Sequence, residues 1–359
     1  MKILYYISGW DGCGRYRIEL VAKYLNKIPE IHAKVSSQYS LEDIKWADII
    51  VIQKQTNQKA LPFMQKAKQM GKKIISEVDD CYFCIPKTNP AYKFYCDKEQ
   101  DLINFYKLSD ALTVTTDHLA KELSKYNDLI YILPNSLDIA LQDRLEKLKE
   151  EEKFKYTKYL TTDQKEIPLN ETQEILSKKI KFFWAGSPTH YIDLQQVTST
   201  LKKICSENKD ILLLMGACTT EALIKGISKD QLILVAPVAI FNYHQVLTTI
   251  PADVGICPIE DNRFNKSKSA LKFLEFSING FPCICSDVEN YKKTVIHGET
   301  GLLSANIDES WYSNLTYLIN NPEERKRIGD NARKFVRENY NIAENVKLWL
   351  ECYMEVLKK

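Results

Sequence analysis

Short apolar runs alternate with helical stretches along almost the whole chain, in two successive series. The runs of the first series lie at residues 2–8, 49–52, 73–76, 112–115 and 130–133, and those of the second lie at 180–184, 211–215, 232–235, 253–257, 282–285 and 301–303. Most are rich in β-branched or aromatic residues, which is typical of strands. A spacing of about 20 to 30 residues fits repeated βα units. The pattern therefore predicts an α/β protein with two doubly wound units.

The length of 359 residues agrees with two domains, since domains average about 150 residues. We place a Rossmann-like N-terminal domain at residues 1–170, with a charged helical insertion at about 141–170, and a second Rossmann-like domain at 171–340. The hinge is expected near 167–179. Residues 341–359 read as a final amphipathic helix.

Charge and hydrophobicity narrow the class of protein. The 49 basic and 47 acidic residues leave a net charge of +2, so no nucleic-acid partner is expected. No apolar run approaches the roughly 20 residues of a membrane span. The first residues read directly as a strand, without a signal peptide. We therefore expect a cytoplasmic protein, and leave open a peripheral contact with the inner face of the membrane.

Ten cysteines raise the question of a metal site. Cys81-x-x-Cys84 together with Cys96 offers three zinc ligands, but neither a histidine nor a fourth cysteine lies close to them in sequence. A structural zinc normally has four ligands. We therefore predict no metal.

The segment from Phe264 to Glu275 carries the most specific chemistry in the chain. If residues 268–279 are helical, Lys268, Lys272 and Glu275 share one face of the helix. The segment follows an apolar strand, and in open parallel sheets ligands bind beyond the carboxyl ends of the strands. An anion site is one interpretation; an internal ion pair between Lys272 and Glu275 beside solvent is the other.

This segment resembles the C-terminal donor-site motif of glycosyltransferase family 4, a group of retaining GT-B enzymes, in the form Asn-x-x-Lys-Ser-x-x-Lys-x-Leu-Glu. The resemblance implies a GT-B fold, in which two Rossmann-like doubly wound domains face each other across a cleft and the C-terminal helix crosses back to the N-terminal domain. The alternative for that helix is to pack where it starts.

The resemblance also implies roles for individual residues. Glu275 would bind the ribose of the nucleotide, and Lys268 and Lys272 would face the diphosphate as catalytic groups. The loop before the helix would contact the diphosphate and sugar through Asn265, Ser267 and Ser269. Many family members carry a glutamate where this chain has Ser267, so the sequence departs from the pattern on the sugar side.

Three further segments resemble landmarks of the family. Gly14 belongs to a glycine-rich first loop near the donor, where Arg15 or Arg17 could meet an anion. Asp79, which with Asp80 follows a strand, is expected in the cleft near the transferred sugar or the acceptor, the alternative being a solvent-facing turn. His118, at a helix start, is a catalytic candidate, the alternative being a residue of the cleft wall.

The loop after the first strand of the second domain completes the set of donor-binding candidates. Gly186 would allow close approach of the donor, Ser187 would contact diphosphate or sugar, and His190 would supply the basic group often found there. Asp193 could hold the His190 ring. Alternatively, the His190–Asp193 pair only caps the helix.

The function implied by the resemblance is retaining transfer of a hexosyl group from a nucleotide-diphosphate sugar to an acceptor hydroxyl, without a metal or other cofactor. Synthesis of a glycan, glycoconjugate or surface polysaccharide is the expected context. The acceptor is left open among a glycan, a lipid-linked glycan, a protein and a small molecule. The alternatives are a catalytically weak scaffold subunit, and a related GT-B nucleotide-sugar epimerase or phosphorylase.

Overall fold

The first sheet of the protein is entirely parallel. The computed structural model describes residues 1–54, 59–150, 157–216 and 220–359. Six strands form this sheet in the order β2-β1-β3-β4-β5-β6, and they are β1 (Lys2–Tyr6), β2 (His32–Ser36), β3 (Ile49–Gln53), β4 (Lys73–Val78), β5 (Ala111–Val114) and β6 (Ile130–Ile132).

The second sheet repeats this plan, with one antiparallel edge strand. Its order is β13-β12-β11-β8-β9-β10-β7, and only β7 runs antiparallel to its neighbour β10. The strands are β7 (Tyr159–Leu160), β8 (Ile180–Ala185), β9 (Ile211–Gly216), β10 (Leu232–Val235), β11 (Val254–Cys257), β12 (Cys283–Ser286) and β13 (Leu302–Ser304). The strand interiors are almost fully buried because helices cover both faces.

Helices connect the strands as crossovers. In the first half they are α1 (Gly12–Gly14), which continues through a π-helical turn (Arg15–Glu19) into α2 (Leu20–Leu25), then α3 (Leu41–Trp46), α4 (Ala60–Gln69), α5 (Tyr92–Tyr95), α6 (Glu99–Leu108), α7 (Asp117–Leu123), α8 (Ile139–Glu150) and α9 (Leu169–Ser177). In the second half they are α10 (Tyr191–Glu207), α11 (Glu221–Gly226), α12 (Ile240–Thr249), α13 (Arg263–Lys266), α14 (Leu271–Ser277), α15 (Glu289–Lys292), α16 (Asp308–Asn320), α17 (Pro322–Asn339) and α18 (Ile342–Lys358). Short 3-10 turns lie at Tyr82–Cys84, Cys96–Lys98, Pro188–His190 and Lys229–Gln231.

All eleven strands predicted from the sequence are present, with ends shifted by no more than two residues. The sequence did not reveal β2 and β7. Both are edge strands, and β2 is polar and half exposed, so neither shows the continuous apolar run of a central strand.

The charged segment between the domains contributes to both of them. Its helix α8 ends at Glu150, and residues 151–156 of the predicted helical insertion lie outside the described residues. Strand β7 then joins the second sheet, although residues up to 170 had been assigned to the first domain. Because β7 pairs with β10, the second sheet begins at an earlier residue than the predicted start of the second domain at 171.

The last helix crosses back to the first domain. Helix α17 ends at Asn339, and α18 then packs with α2 and β1 in one apolar core. The Tyr5 hydroxyl lies 3.0 Å from that of Tyr353, and the Trp349 ring stacks on Arg17 at 4.5 Å. This arrangement matches the predicted fold class. Within the four described ranges, no helix has both the length and the apolar character required to traverse a bilayer.

Candidate functional site

A cavity of about 400 Å³ lies between the two domains. The loops that follow β1 and β4 form its wall in the first domain, and the loops that follow β8 and β11, together with helices α12 and α14, form its wall in the second. This is the position expected for a ligand in open parallel sheets, because loops and helix N-termini meet at the carboxyl ends of the strands. Its size suits a ligand of several rings.

Two lysines give one part of the cavity a positive charge. Lys268 lies 3.6 Å from Asp80 across the domain interface. Burial opposes its charge, but Asp80 and Asp193 outweigh that effect and raise the pKa of Lys268. In the described part of the chain Lys272 forms no ion pair; its ammonium lies 5.0 Å from the centre of the Trp184 ring, and burial lowers its pKa.

The loop after β8 places small and polar groups beside these cations. Gly186, Ser187 and His190 all line the cavity, at the start of the 17-residue helix α10. The Nδ1 atom of His190 lies 2.7 Å from Asp193. Burial and the charge of Lys272 lower the pKa of His190 to about 4. His190 is therefore neutral near pH 7, and the positive charge of this part of the cavity comes from the lysines.

Glu275 faces the cavity from helix α14, one helical turn after Lys272. Two tyrosine hydroxyls hold its carboxyl group. Tyr16, from the first domain, donates a hydrogen bond to Oε1, and Tyr243 donates to Oε2 at 3.3 Å. Glu275 is 8% exposed. Burial raises the pKa of Glu275 to about 7, although both hydrogen bonds and the charge of Lys272 lower it. Near pH 7 the side chain therefore exchanges between its charged and neutral forms.

The wall near Glu275 is apolar. It comprises side chains from β10, α12 and their connection, among them Val235, Val238, Ile240 and Leu247. A flat, weakly polar group would lose little hydration there and gain contact area. The cavity thus combines an apolar wall, two lysines and a hydrogen-bonding carboxyl group.

Two aspartates follow β4 in the wall of the first domain. Asp79 is buried and accepts a hydrogen bond of 2.5 Å from Tyr82. Burial opposes its ionisation, but Lys54 and the hydrogen bonds from Cys13 and Tyr82 lower the pKa of Asp79. Burial raises the pKa of Asp80, with Lys268 opposing that effect. Asp79 therefore presents a stable negative charge to the cavity.

The comparisons with known proteins agree on the architecture. The family model for glycosyl transferases group 1 matches residues 244–335, which include α14 and the loop before it. No curated protein sequence matches the chain. The structure of Anabaena Alr3699/HepE in complex with UDP-glucose is similar with a TM-score of 0.68 at 12% identity, over 99% of this chain and 100% of that chain.

Two other solved structures are similar over almost their full lengths. Sucrose-phosphate synthase from Thermosynechococcus elongatus has a TM-score of 0.67 at 13% identity, over 99% of both chains. The fold is GT-B. A putative UDP-N-acetylglucosamine 2-epimerase from Listeria monocytogenes also shares it, with a TM-score of 0.55 at 12% identity over 96% of this chain and 94% of that chain. The family-model match and the GT-B fold together support a glycosyltransferase.

The GT-B cavity contains most of the residues selected from the sequence. Eight of them line it: Lys268, Lys272, Asp79, Gly186, Ser187, His190, Ser269 and Glu275. Helix α14 begins at Leu271, so the expected helix at 268–279 is shorter than predicted. Lys268 reaches the cavity from the preceding loop instead of from the helical face shared by Lys272 and Glu275.

Gly14 and Arg17 have structural roles instead of the expected contact with a ligand. A Cβ atom at Gly14 would lie 2.2 Å from the carbonyl oxygen of Gly9, so the glycine permits close packing of its own loop. Gly12 and Cys13 face the cavity in its place. Arg17 is 1% exposed, and its Nε atom lies 2.6 Å from Glu77. Its guanidinium is thus already neutralised, although it borders the cavity.

His118 lies outside the main cavity. It lines a second cavity of about 200 Å³, where its two ring nitrogens lie 3.4 Å from Glu289 and 3.5 Å from Glu122. His118 is therefore not among the residues that line the main cavity, and its catalytic role stays a prediction.

Asn265 and Ser267 are buried behind the cavity wall. The amide of Asn265 donates to Asp193 at 3.0 Å, which also holds His190, so Asn265 supports the donor loop from behind. Ser267 is fully buried, and its hydroxyl donates to the carbonyl of Arg263 at 3.2 Å. Neither residue is among those that line the main cavity. The direct contact with the donor that the sequence predicts for both therefore has no counterpart in the lining of this cavity.

Sequence reasoning missed the tyrosines that hold Glu275, and Asn135 as a cavity residue. Asn135 lies after β6 and lines the cavity, and its amide donates to the Ser269 hydroxyl at 2.8 Å and so connects the domains. Tyr16 directly follows the glycine-rich loop, which was the only signal for it. Tyr243 lies in a helix with no recognised motif, so only the tertiary structure reveals its contact.

The cysteine cluster differs from the zinc alternative considered above. Ligand atoms of Cys81, Cys84 and Glu122 lie within 4.8 Å of one another, and Cys96 is not among them. Arg263 already binds Glu122, with Nε at 2.7 Å from Oε1. Because this guanidinium compensates the carboxylate, the cluster does not require a metal cation.

Proposed function

We propose that the protein is a retaining glycosyltransferase that moves a hexosyl group from a nucleotide-diphosphate sugar to an acceptor hydroxyl. The observation that carries the proposal is the set of groups that line one interdomain cavity. They are an apolar wall, the Glu275 carboxyl group held by two tyrosines, and the two lysines Lys268 and Lys272 near the helix start at Ser187. A base, a ribose and a diphosphate require these environments.

The apolar wall would hold the nucleobase, and the Glu275 carboxylate would accept hydrogen bonds from the ribose hydroxyls. Structures of Anabaena Alr3699/HepE, which are similar to this chain, are complexes with UDP and with UDP-glucose, which supports a nucleotide sugar here. Lys272 forms no ion pair among the described residues, and burial outweighs the charges of Asp193 and Glu275 in lowering its pKa, so a diphosphate would supply further negative charge.

The chemical step requires stabilisation of the departing diphosphate and of a sugar with oxocarbenium character. Lys268 and Lys272 would neutralise the diphosphate, and the positive end of the dipole of helix α10 would add to this effect after Gly186 and Ser187. Fixed charges of this kind contribute a large part of catalysis because they need no reorganisation during the reaction. Asp79 would orient a hydroxyl of the sugar or the acceptor from the first domain.

His190 would contribute a neutral imidazole. Asp193, whose pKa is lowered by the hydrogen bond from His190 despite burial, accepts the Nδ1 proton. The Nε2 atom is then an acceptor for a sugar hydroxyl. The sequence interpretation of His190 as a cation is therefore replaced in this proposal by a hydrogen-bonding role.

Glu275→Ala tests the donor site directly. We expect one of UDP, GDP, ADP or CMP, or a sugar nucleotide of that base, to stabilise the wild-type protein by about 2.7 kcal/mol at one hundred times its Kd. Thermal unfolding with each ligand measures this effect. The shift should disappear in Glu275→Ala and persist in Glu289→Ala, a partly exposed carboxylate of the same domain outside the main cavity. A full shift in both variants would contradict the ribose-binding role.

Chelation tests the proposal that lysines replace a metal. Because Lys268 and Lys272 supply positive charge at the diphosphate end, activity and ligand-induced stabilisation should change by less than about twofold with excess EDTA. Initial rates with and without added magnesium measure this. A loss of activity that magnesium restores would argue for a metal-bound diphosphate.

A nucleotide-sugar epimerase is the second candidate, favoured by the similarity to the putative 2-epimerase structure. Product analysis separates the two. Transfer releases the free nucleotide and forms a glycoside whose anomeric proton shows retention by NMR, whereas epimerisation leaves a sugar with inverted C2. We further propose a cytoplasmic location and a role in the synthesis of a glycan, a glycoconjugate or a surface polysaccharide, with peripheral membrane contact left open.

A further inference from the structure

The hydroxyl of Tyr16 connects the two domains at the nucleotide end of the cavity. Tyr16 follows the glycine-rich loop of the first domain and is 3% exposed. Its hydroxyl lies between two groups of the second domain. One is the Nε2 atom of His244, at 2.9 Å, and the other is Oε1 of Glu275. A residue of one domain thus completes the hydrogen bonding of a carboxyl group in the other.

The direction of these hydrogen bonds follows from the charge of each partner. Burial lowers the pKa of His244 to about 4, so its ring is neutral near pH 7. Burial and the Glu275 charge raise the pKa of Tyr16, so it retains its proton. When Glu275 is ionised, Tyr16 donates this proton to the carboxylate. His244 must then donate its Nε2 proton to the Tyr16 oxygen, because a hydroxyl has only one proton.

Glu275 has two oxygens and about four acceptor positions. Tyr16 occupies one position on Oε1, and Tyr243 occupies one on Oε2 through a longer bond of 3.3 Å. The remaining positions suffice for the two hydroxyls of a ribose. The tyrosines therefore fix the plane of the carboxylate, and they leave acceptor positions free for the ribose. Because Tyr243 is on the same domain as Glu275, only the Tyr16 bond depends on the position of the first domain.

We propose that Tyr16 is a positioning residue that orients Glu275 toward the ribose, and that it does so only when the first domain closes on the second. This inference rests on the proposed function. Closure of the domains would then change the affinity for the nucleotide through a single hydroxyl group, that of Tyr16. A donor would in turn favour the closed arrangement, because the affinity of a ligand for two states and the populations of these states are linked.

The Tyr16→Phe variant tests the positioning role. The probes are UDP, GDP and ADP, each compared with its 2′-deoxy counterpart by isothermal titration. In the wild-type protein the ribonucleotide should bind more tightly, and in Tyr16→Phe this preference should fall about tenfold because the carboxylate is no longer oriented. Tyr24→Phe is the matched control. The Tyr24 hydroxyl also donates to a carboxylate, Asp138, at 2.6 Å, but away from the main cavity, so its preference should be unchanged.

The pH dependence of binding gives a second readout. The groups that face Glu275 are Tyr16 and Tyr243, which donate to it, Lys272, and the Cys257 thiol, with His244 behind Tyr16. Removal of the Tyr16 hydrogen bond raises the pKa of Glu275. Affinity requires the carboxylate and declines as pH falls through this pKa. The acid limb of ribonucleotide affinity should therefore move to higher pH in Tyr16→Phe, and the affinity of the 2′-deoxy nucleotides, which keep only the 3′-hydroxyl, should depend less on pH.

The possible results separate the inference from the proposed function. If no nucleotide binds to the wild-type protein, both are overturned. If nucleotides bind, but Tyr16→Phe weakens the ribose and deoxyribose forms equally or changes neither, only the positioning role is overturned. If Tyr16→Phe does not fold, His244→Phe replaces it; this change removes the donor behind Tyr16 and should lower the ribose preference in the same direction by a smaller factor. An unchanged preference in that variant contradicts the inference.

Discussion

Replacing Lys272 with methionine is expected to lower kcat by about 100- to 1,000-fold, which is the usual cost of losing one fixed charge aimed at a departing anion. The ammonium lies over Trp184 at 5.0 Å and forms no ion pair among the described residues, and burial outweighs the charges of Asp193 and Glu275 in setting its pKa. An effect on kcat larger than that on KM would show that the charge acts mainly in the transition state. Initial rates over a range of donor concentrations measure both constants.

The stability of Lys272→Met should change in the opposite direction to its activity. Burial lowers the pKa of Lys272, which means that the folded protein disfavours this charge. Methionine is expected to leave the melting temperature of the ligand-free protein unchanged or higher. Lys266→Met is the matched control: Lys266 pairs with Asp261 at 2.9 Å and does not line the main cavity. Activity that is lost equally in both variants, or retained in Lys272→Met, would contradict the assigned role.

Glu77→Leu is expected to destabilise the protein by about 3 to 5 kcal/mol, because it leaves the buried Arg17 without a counter-ion. Arg17 and Glu77 are 1% and 0% exposed, and two hydrogen bonds of 2.6 and 3.2 Å join them. The melting temperature should fall by about 10 °C. Thermal and urea unfolding of the variant measure the change.

The double variant Arg17→Met with Glu77→Leu makes this prediction specific. Removal of both charges should restore most of the lost stability, since the cost lies in the unpaired charge. The exposed pair Glu42 and Lys45, in the same domain, gives the control, and Glu42→Gln should cost less than about 0.5 kcal/mol. A double variant as unstable as Glu77→Leu alone would indicate that Arg17 matters through packing on Trp349 instead of through its charge.

The central strands and the donor loop could be predicted from sequence because their signals are local. A strand buried on both faces, such as β9 or β11, is a short continuous apolar run. The motif from Asn265 to Glu275 is contiguous, and the turn after β8 brings Gly186 and Ser187 to the same end of the sheet. These features depend on backbone geometry within a few residues, so the chain alone specifies them.

The partners of other candidate residues could not be predicted, although a side chain's role depends on them. His118 and Arg17 have the chemistry expected of an active site, but Glu122 and Glu289 hold the first and Glu77 neutralises the second. Glu77 lies 60 positions from Arg17 in the sequence, and Glu289 is far from His118. Sequence identifies what a side chain can do, whereas the fold decides which charge it meets.

The sequence by itself determined the two doubly wound units, the strands of their centres and the group of residues around Lys272 and Glu275. The tertiary structure decided which of the candidates share one cavity, and it alone brought Tyr16 from the first domain to Glu275 in the second. The physical reason is the distance along the sequence over which each kind of interaction acts. Strand and helix formation follows from hydrophobic periodicity over a few residues, whereas hydrogen bonds in the cavity join residues as far apart in sequence as Tyr16 and Glu275, which are 259 positions apart.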